Sequence, residues 1–266
     1  MLVEIGRKAG CLCDFADQGI IHCPLNVRST SEDVVTGELF GKLQLIDPRW
    51  WLHEVLNQSL GTTEYRQQVY RGFQIKLWKK QPSFPADLLP WREGRTEVDV
   101  EIRWENPATT IFIEMKLGSD VSKTTSRTDG TEEFPSDQLI RNIRIGLHQA
   151  GWFREGELFQ AKKRRFALLL VSPKAGHPLV ERYRNHDELL RSIPKGSELV
   201  DLPKTPFIGS ASYRGIADIL LGYSRFMSVI ERKMAIQISE YMELKTAQSR
   251  GKRDVSQNET TELKFV

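Results

Sequence analysis

The chain has only three cysteines, Cys11, Cys13 and Cys23, all near its start. So few, in a sequence with no secretion signal, exclude the disulfide framework of small secreted domains. His22 beside Cys23 completes a Cys-x-Cys…His-Cys cluster with the ligand types of a zinc site. Its spacing matches no standard zinc pattern, and adjacent residues cannot easily both reach one tetrahedral ion, so reduced thiols are the expectation. Long apolar runs are also missing. No segment approaches the roughly 18 apolar residues of a membrane span. The first residues carry Glu4 and no apolar stretch of the kind a signal peptide needs. A cytoplasmic protein without a membrane partner is expected. There is no Gly-x-Gly-x-x-Gly, no Walker A loop and no Gly-x-Ser-x-Gly, which excludes the usual dinucleotide, P-loop and serine-hydrolase chemistries. Of five histidines, only His22 and His53 are arguable site residues, and both read better as structural or surface groups. The net charge of +3 is too small to announce a polyanionic partner by itself.

What is present is a soluble, globular composition, 39% hydrophobic and 27% charged. Its 266 residues allow one large domain or a core with additions. We read an extension over residues 1–30, a core over 31–175, a helical region over 176–250 and a polar tail over 251–266. No internal repeat is visible.

The most informative stretch runs from Thr96 to Leu117. Val98, Val100, Ile102 and Trp104 alternate with Glu97, Asp99, Glu101 and Arg103. After a turn at Glu105-Asn-Pro-Ala108, Ile111, Ile113 and Met115 alternate with Phe112, Glu114 and Lys116. Period-two alternation gives two strands, each with its own face. A hairpin centred between Asn106 and Pro107 sets Asp99 across from Glu114, and Glu97 across from Lys116. A one-residue slip would send these groups to opposite faces, so the apolar pattern also sets the register. Carboxylates directly across a ladder lie about 4.5–5.5 Å apart at Cβ, which is unfavourable unless a cation sits between them. A divalent metal is the natural neutraliser, and Lys116 on the same side is placed to orient or deprotonate a water.

Other elements surround this hairpin. Residues 31–46 read as a helix with Ser31 as N-cap candidate, Val35, Leu39, Leu43 and Ile46 as its apolar stripe, and Asp47-Pro48 as its end. A helix over 49–60, a strand over 69–79, a helix over 135–150 and a buried strand over 165–171 follow. Helices near 179–193, 213–223 and 227–247 come last. Ile230, Met234, Ile238 and Tyr241 form the stripe of the final helix, and residues from Gln248 on read as a frayed tail.

The ordered set, with Asp99 on one strand and Glu114-Met115-Lys116 on the next, resembles the PD-(D/E)xK nuclease superfamily, the restriction-endonuclease-like fold. Its usual Pro before the Asp is replaced here by Val98. The resemblance spans residues 31–172. It implies an α/β fold with an αβββαβ core, a central mixed sheet flanked by helices and, in this chain, a C-terminal helical extension. It implies a Mg²⁺- or Mn²⁺-dependent nuclease, acting on nucleic acid and most naturally DNA. Asp99, Glu114, Glu32 and the Met115 carbonyl would hold the metal. Lys116 would position water, and Gln138 would sit near the site at the start of the helix after the motif. Glu32 lies about 20° from Leu39 at 100° per residue, on the inward stripe, and is preferred to Glu38 for the first-helix acid. Its helix N-terminal position is an equally good reason for an acid there.

Local positive charge suggests a nucleic-acid interface. Lys162, Lys163, Arg164 and Arg165 form one run, with Arg141 and Arg144 on the preceding helix and Lys123 and Arg127 in the loop before it. The same run could be only a solvated face. The rival to a nuclease is a non-catalytic nucleic-acid-binding or assembly module on the same fold. The C-terminal helices are candidates for packing on the core, for a homodimer interface or for a protein partner.

Overall fold

Alternation between Glu97 and Met115 builds the centre of a five-stranded mixed sheet. The computed structural model describes residues 14–15, 21–22, 31–91, 93–118, 121, 134–154, 163–204 and 206–262. Cys11, Cys13, Cys23, Lys123, Arg127 and Lys162 lie outside the described residues, and the zinc reading lies outside with its cysteines.

Two short strands, β1 (Asp14–Phe15) and β2 (Ile21–His22), pair as a separate sheet. Then come α1 (Glu32–Leu43), α2 (Leu52–Leu60), β3 (Arg71–Lys80), β4 (Glu97–Glu105), β5 (Thr109–Met115), α3 (Gln138–Gln149) and β6 (Arg165–Ser172). After them run α4 (Pro178–Arg184), α5 (His186–Arg191), α6 (Gly196–Leu199), β7 (Ile208–Ser212), α7 (Tyr213–Tyr223) and α8 (Val229–Glu262). The sheet order is β3-β4-β5-β6-β7. β3, β4 and β5 are antiparallel neighbours, whereas β5, β6 and β7 are parallel. The chain is therefore an α/β protein with an open mixed sheet and flanking helices.

The hairpin has the expected register. Val100 pairs with Ile113, Ile102 with Ile111 and Trp104 with Thr109, which carries Asp99 to the position across from Glu114. Asn106 turns the chain in the left-handed region at φ 62°, a conformation Asn tolerates better than most residues. The α1 stripe of Val35, Leu39, Leu43 and Ile46 is buried as expected. Ser31 occupies the N-cap position, but its side chain makes no capping bond.

Three expectations need correction. The single helix expected near 179–193 is two, α4 and α5, and the chain then adds α6 and β7, which pairs with β6 through Leu168–Ile208 to Ser172–Ser212. On α8 the expected Met234, Ile238 and Tyr241 do pack on the core, joined by Ala235 and Met242, but Ile230 is 68% exposed. Helix α8 does not end near 247 but runs through residue 262, because extending a helix costs little once its first turns are packed.

Helix α3 decides what the sheet's polar face meets. It contacts β5 and β6, and a Cβ placed on Gly146 would come within 2.1 Å of the Phe166 ring. The helix and strand approach at a distance only glycine permits. Gly146→Ala should lower unfolding free energy by about 1–3 kcal/mol through overpacking. Urea denaturation measures this, and an unchanged midpoint would mean that α3 lifts from β6 at no cost.

Candidate active site

The end of β5 gathers charged groups from three elements. Glu114 is fully buried, held there by the all-apolar burial of its strand neighbours Ile113 and Met115. Its Oε1 accepts from Lys116 Nζ at 2.7 Å, and its Oε2 accepts from Asn142 Nδ2 at 3.0 Å. Asp99, from β4, accepts at Oδ2 from the Met115 backbone N–H at 2.8 Å. Glu32, in the first turn of α1, accepts at Oε1 from the Leu117 N–H at 3.0 Å. Its Oε2 lies 3.5 Å from Lys116 Nζ. Three carboxyls, Glu32, Asp99 and Glu114, thus surround the one ammonium of Lys116.

This imbalance shows in the ionisation of the group. Asp99 keeps some access to water, yet it is crowded enough that burial is the main cause raising its pKa well above the carboxylate range. The charge of Glu114 adds to this; the Met115 N–H and Lys116 oppose it. Burial likewise raises Glu114, against the pull of Lys116 and Asn142. For Lys116, burial alone would lower the pKa, but Glu114, Glu32 and Asp99 together raise it above its ordinary value. The lysine is therefore a firmly held cation, and the carboxyls compete for protons or for another cation.

Glu38 does not join this group; it pairs with Lys42 one turn along α1. Gln138 is half-buried at the first position of α3, whose cap is Asp137. Asn142, one turn later, is the residue that reaches Glu114. The two lie on one face of α3, and it is the later turn that is set over Glu114.

Two residues escaped the sequence reading. Asn142 is one; its spacing from Gln138 on a helical face was the available signal. The other is Tyr213, buried at the start of α7, whose hydroxyl donates to the Lys116 carbonyl at 2.7 Å. Its phenol pKa is raised, by burial first and then by Glu32.

The expected phosphate contacts fare differently. Arg144 is fully buried, 2.6 Å from Glu93 and over the Trp91 ring, so it cannot reach a ligand without unfolding its surroundings. Arg141 also points inward, toward Glu93 at 3.4 Å and Thr96. Arg164 ties down the hairpin end, donating to the Trp104 carbonyl at 3.1 Å, the Thr109 carbonyl at 3.2 Å and Glu105 at 2.9 Å. Lys163 pairs with Asp201, and Arg165 is exposed. This run does not flank the acids. Arg165 pairs with Thr109, at the opposite end of β5 from Glu114, roughly 17 Å away at 3.3 Å per residue.

As the side chains stand, no group of three or more His, Cys, Asp or Glu is arranged as metal ligands among the described residues, and Lys116 fills the space between Glu114 and Glu32. The donor set still fits a hard divalent cation. It consists of carboxylate oxygens and carries excess negative charge, and beside it Asn142 Oδ1 is buried without a hydrogen-bond partner. No model of a known protein family, no curated protein and no solved structure matches the chain.

A pH test follows from the raised carboxyls. Between the ordinary Asp value and the raised one, the folded state holds a proton that the unfolded chain has released, so stability falls as pH rises through that window. In chelator, wild type should lose stability relative to Asp99→Asn as pH rises from the acid side through that interval. A difference that stays constant with pH, by urea unfolding, would contradict the burial of this carboxyl.

Proposed function

We propose that the chain is a metal-dependent nuclease on a restriction-endonuclease-like core, hydrolysing phosphodiester bonds of nucleic acid, with DNA the favoured substrate. The observation that carries this reading is the convergence of Glu32, Asp99 and Glu114 on Lys116 at the carboxyl end of β5. In sheets with parallel strands, ligands bind outside the carboxyl ends. Asp99, Glu114 and Glu32, with the Met115 carbonyl, would hold Mg²⁺ or Mn²⁺. Such an ion lowers the pKa of a bound water and stabilises charge on phosphoryl oxygens.

The chain's own groups have distinct tasks. Asn142 fixes the plane of the Glu114 carboxylate through Oε2, leaving the other oxygen to Lys116. A lysine held protonated by carboxylates donates rather than accepts. Lys116 therefore orients the attacking water or steadies phosphoryl charge, and it is not the base. Tyr213 fixes the backbone at Lys116 and so the direction of its side chain.

One observation favours a second reading. The Lys116 ammonium already neutralises part of the acid cluster, as a lapsed site that retains only nucleic-acid binding or an assembly role would permit.

Cleavage of plasmid and single-stranded DNA with Mg²⁺ or Mn²⁺ separates the two. Asp99→Ala and Glu114→Ala should abolish cleavage. Lys116→Ala should slow it by roughly a hundredfold or more, the scale of losing one charge-stabilising donor. Activity that persists in either carboxylate variant removes the site assignment, and inactivity of wild type with intact DNA binding favours the second reading.

Metal binding has its own signature. At a concentration about a hundred times its Kd, an ion that binds only the folded state adds about 2.7 kcal/mol of stability. Mg²⁺ or Mn²⁺ should raise the Tm of wild type and leave that of the Asp99→Ala/Glu114→Ala double variant unchanged. Equal shifts would put the metal elsewhere.

A further inference from the structure

A groove of about 670 Å³ opens where the end of α3 meets the approach to β6, away from the acid cluster. Its rim carries Arg103, Arg154 and Lys163 against a single carboxylate, Asp201. Beneath Arg103, the buried Glu101 is shared, 2.9 Å from that guanidinium and 2.6 Å from Lys79. Arg103 is thereby already paired, and it also donates to Gln149, so Arg154 and Lys163 are the rim cations set against Asp201. The pairing of Lys163 with Asp201 is solvent-exposed on both sides, at 44% and 49%, and such pairs hold their partners weakly. Lys163 is available to an incoming anion.

The floor is aromatic. Phe84, His148 and Phe153 meet edge to face, with ring centroids 5.2–5.7 Å apart. Trp152 stands beside them, its indole N–H held by the Arg164 carbonyl at 2.8 Å. The Lys163 ammonium lies over its ring at 4.8 Å. A fixed indole with a cation on its face accepts a flat ring once that cation turns to a charge of opposite sign. Apolar planes below a cationic rim suit one ligand chemistry: a nucleobase joined to a phosphate. The volume lies within the range of small-molecule sites.

We propose that this groove binds a nucleotide, its phosphate held by Arg154 and Lys163 and its base set against Trp152. The site stands whether or not the acid cluster is catalytic. The nucleotide is either free or one unit of a longer strand. Arg103, on the groove wall, and Asp99 share one face of β4 and are four residues apart, about 13 Å along the strand, so the groove lies within a few nucleotides of the acid cluster.

The probes are a fluorescent derivative of adenosine monophosphate and a short labelled single-stranded oligonucleotide. Their anisotropy is followed at several salt concentrations with the full chain carrying Asp99→Ala, which prevents cutting. Both Arg154 and Lys163 are exposed, so Arg154→Ala/Lys163→Ala is expected to fold as wild type, and its Tm checks this. It should weaken binding about tenfold or more, since a hydrogen bond to a charged group is worth at least that. The salt dependence should flatten with it. Loss seen with the monophosphate identifies a free nucleotide as the ligand. Loss seen only with the oligonucleotide identifies a strand. If neither probe binds, or if the variant binds both as tightly as its parent, the proposal is overturned. Because the parent is already Asp99→Ala, these outcomes are independent of whether the wild type cleaves.

Discussion

Burying Glu114 at the end of β5 requires that its negative charge be answered, and most of the local architecture is arranged around that requirement. A carboxylate without a partner in such a place would cost several kcal/mol. Lys116 answers one oxygen and Asn142 the other. Asn142 reaches its position because α3 lies close on β6, and α3 lies close because residue 146 has no side chain. Lys116 in turn is held by Tyr213, which ties α7 to the end of β5. Adding Asp99 and Glu32 leaves three carboxyls for one lysine. That excess is the physical basis for expecting a divalent cation there.

The hairpin was the most legible part of the sequence, because strict alternation admits only one register with both apolar sets on one side. Asp99 and Glu114 could be set opposite each other from residue types alone. Glu32 was legible from helical phase. β7 was not, since Ile208-Gly-Ser-Ala-Ser212 is short and small-residued and owes its strand form to pairing with β6. Asn142 was missed because it shares a helical face with Gln138, one turn earlier, and the sequence does not say which turn lies over Glu114. Arg144 was misjudged because a charged residue reads as surface unless its partner is known, and Glu93 lies 51 positions away.

Positive charge is divided in a way that the one-dimensional run concealed. Arg164 is a structural tie between β6 and the hairpin turn, and Arg141 and Arg144 are consumed by Glu93. The cations of the groove rim that lack a buried partner, Arg154 and Lys163, come from separate segments and meet only in the folded groove. Cationic groove and acid cluster lie along one face of β4, so attraction of a polyanion and the proposed chemistry on it are separated in space.

Asp99 and Glu114 are packed in excess of their cations, and the proposed divalent ion would make up the difference. Carboxyl ¹³C NMR titration of labelled protein, first in chelator and then with saturating Mg²⁺, tests it directly. Asp99 should titrate well above the usual carboxylate range without metal and move down when Mg²⁺ is added. Titration of both carboxyls in the ordinary range, unmoved by Mg²⁺, would contradict it.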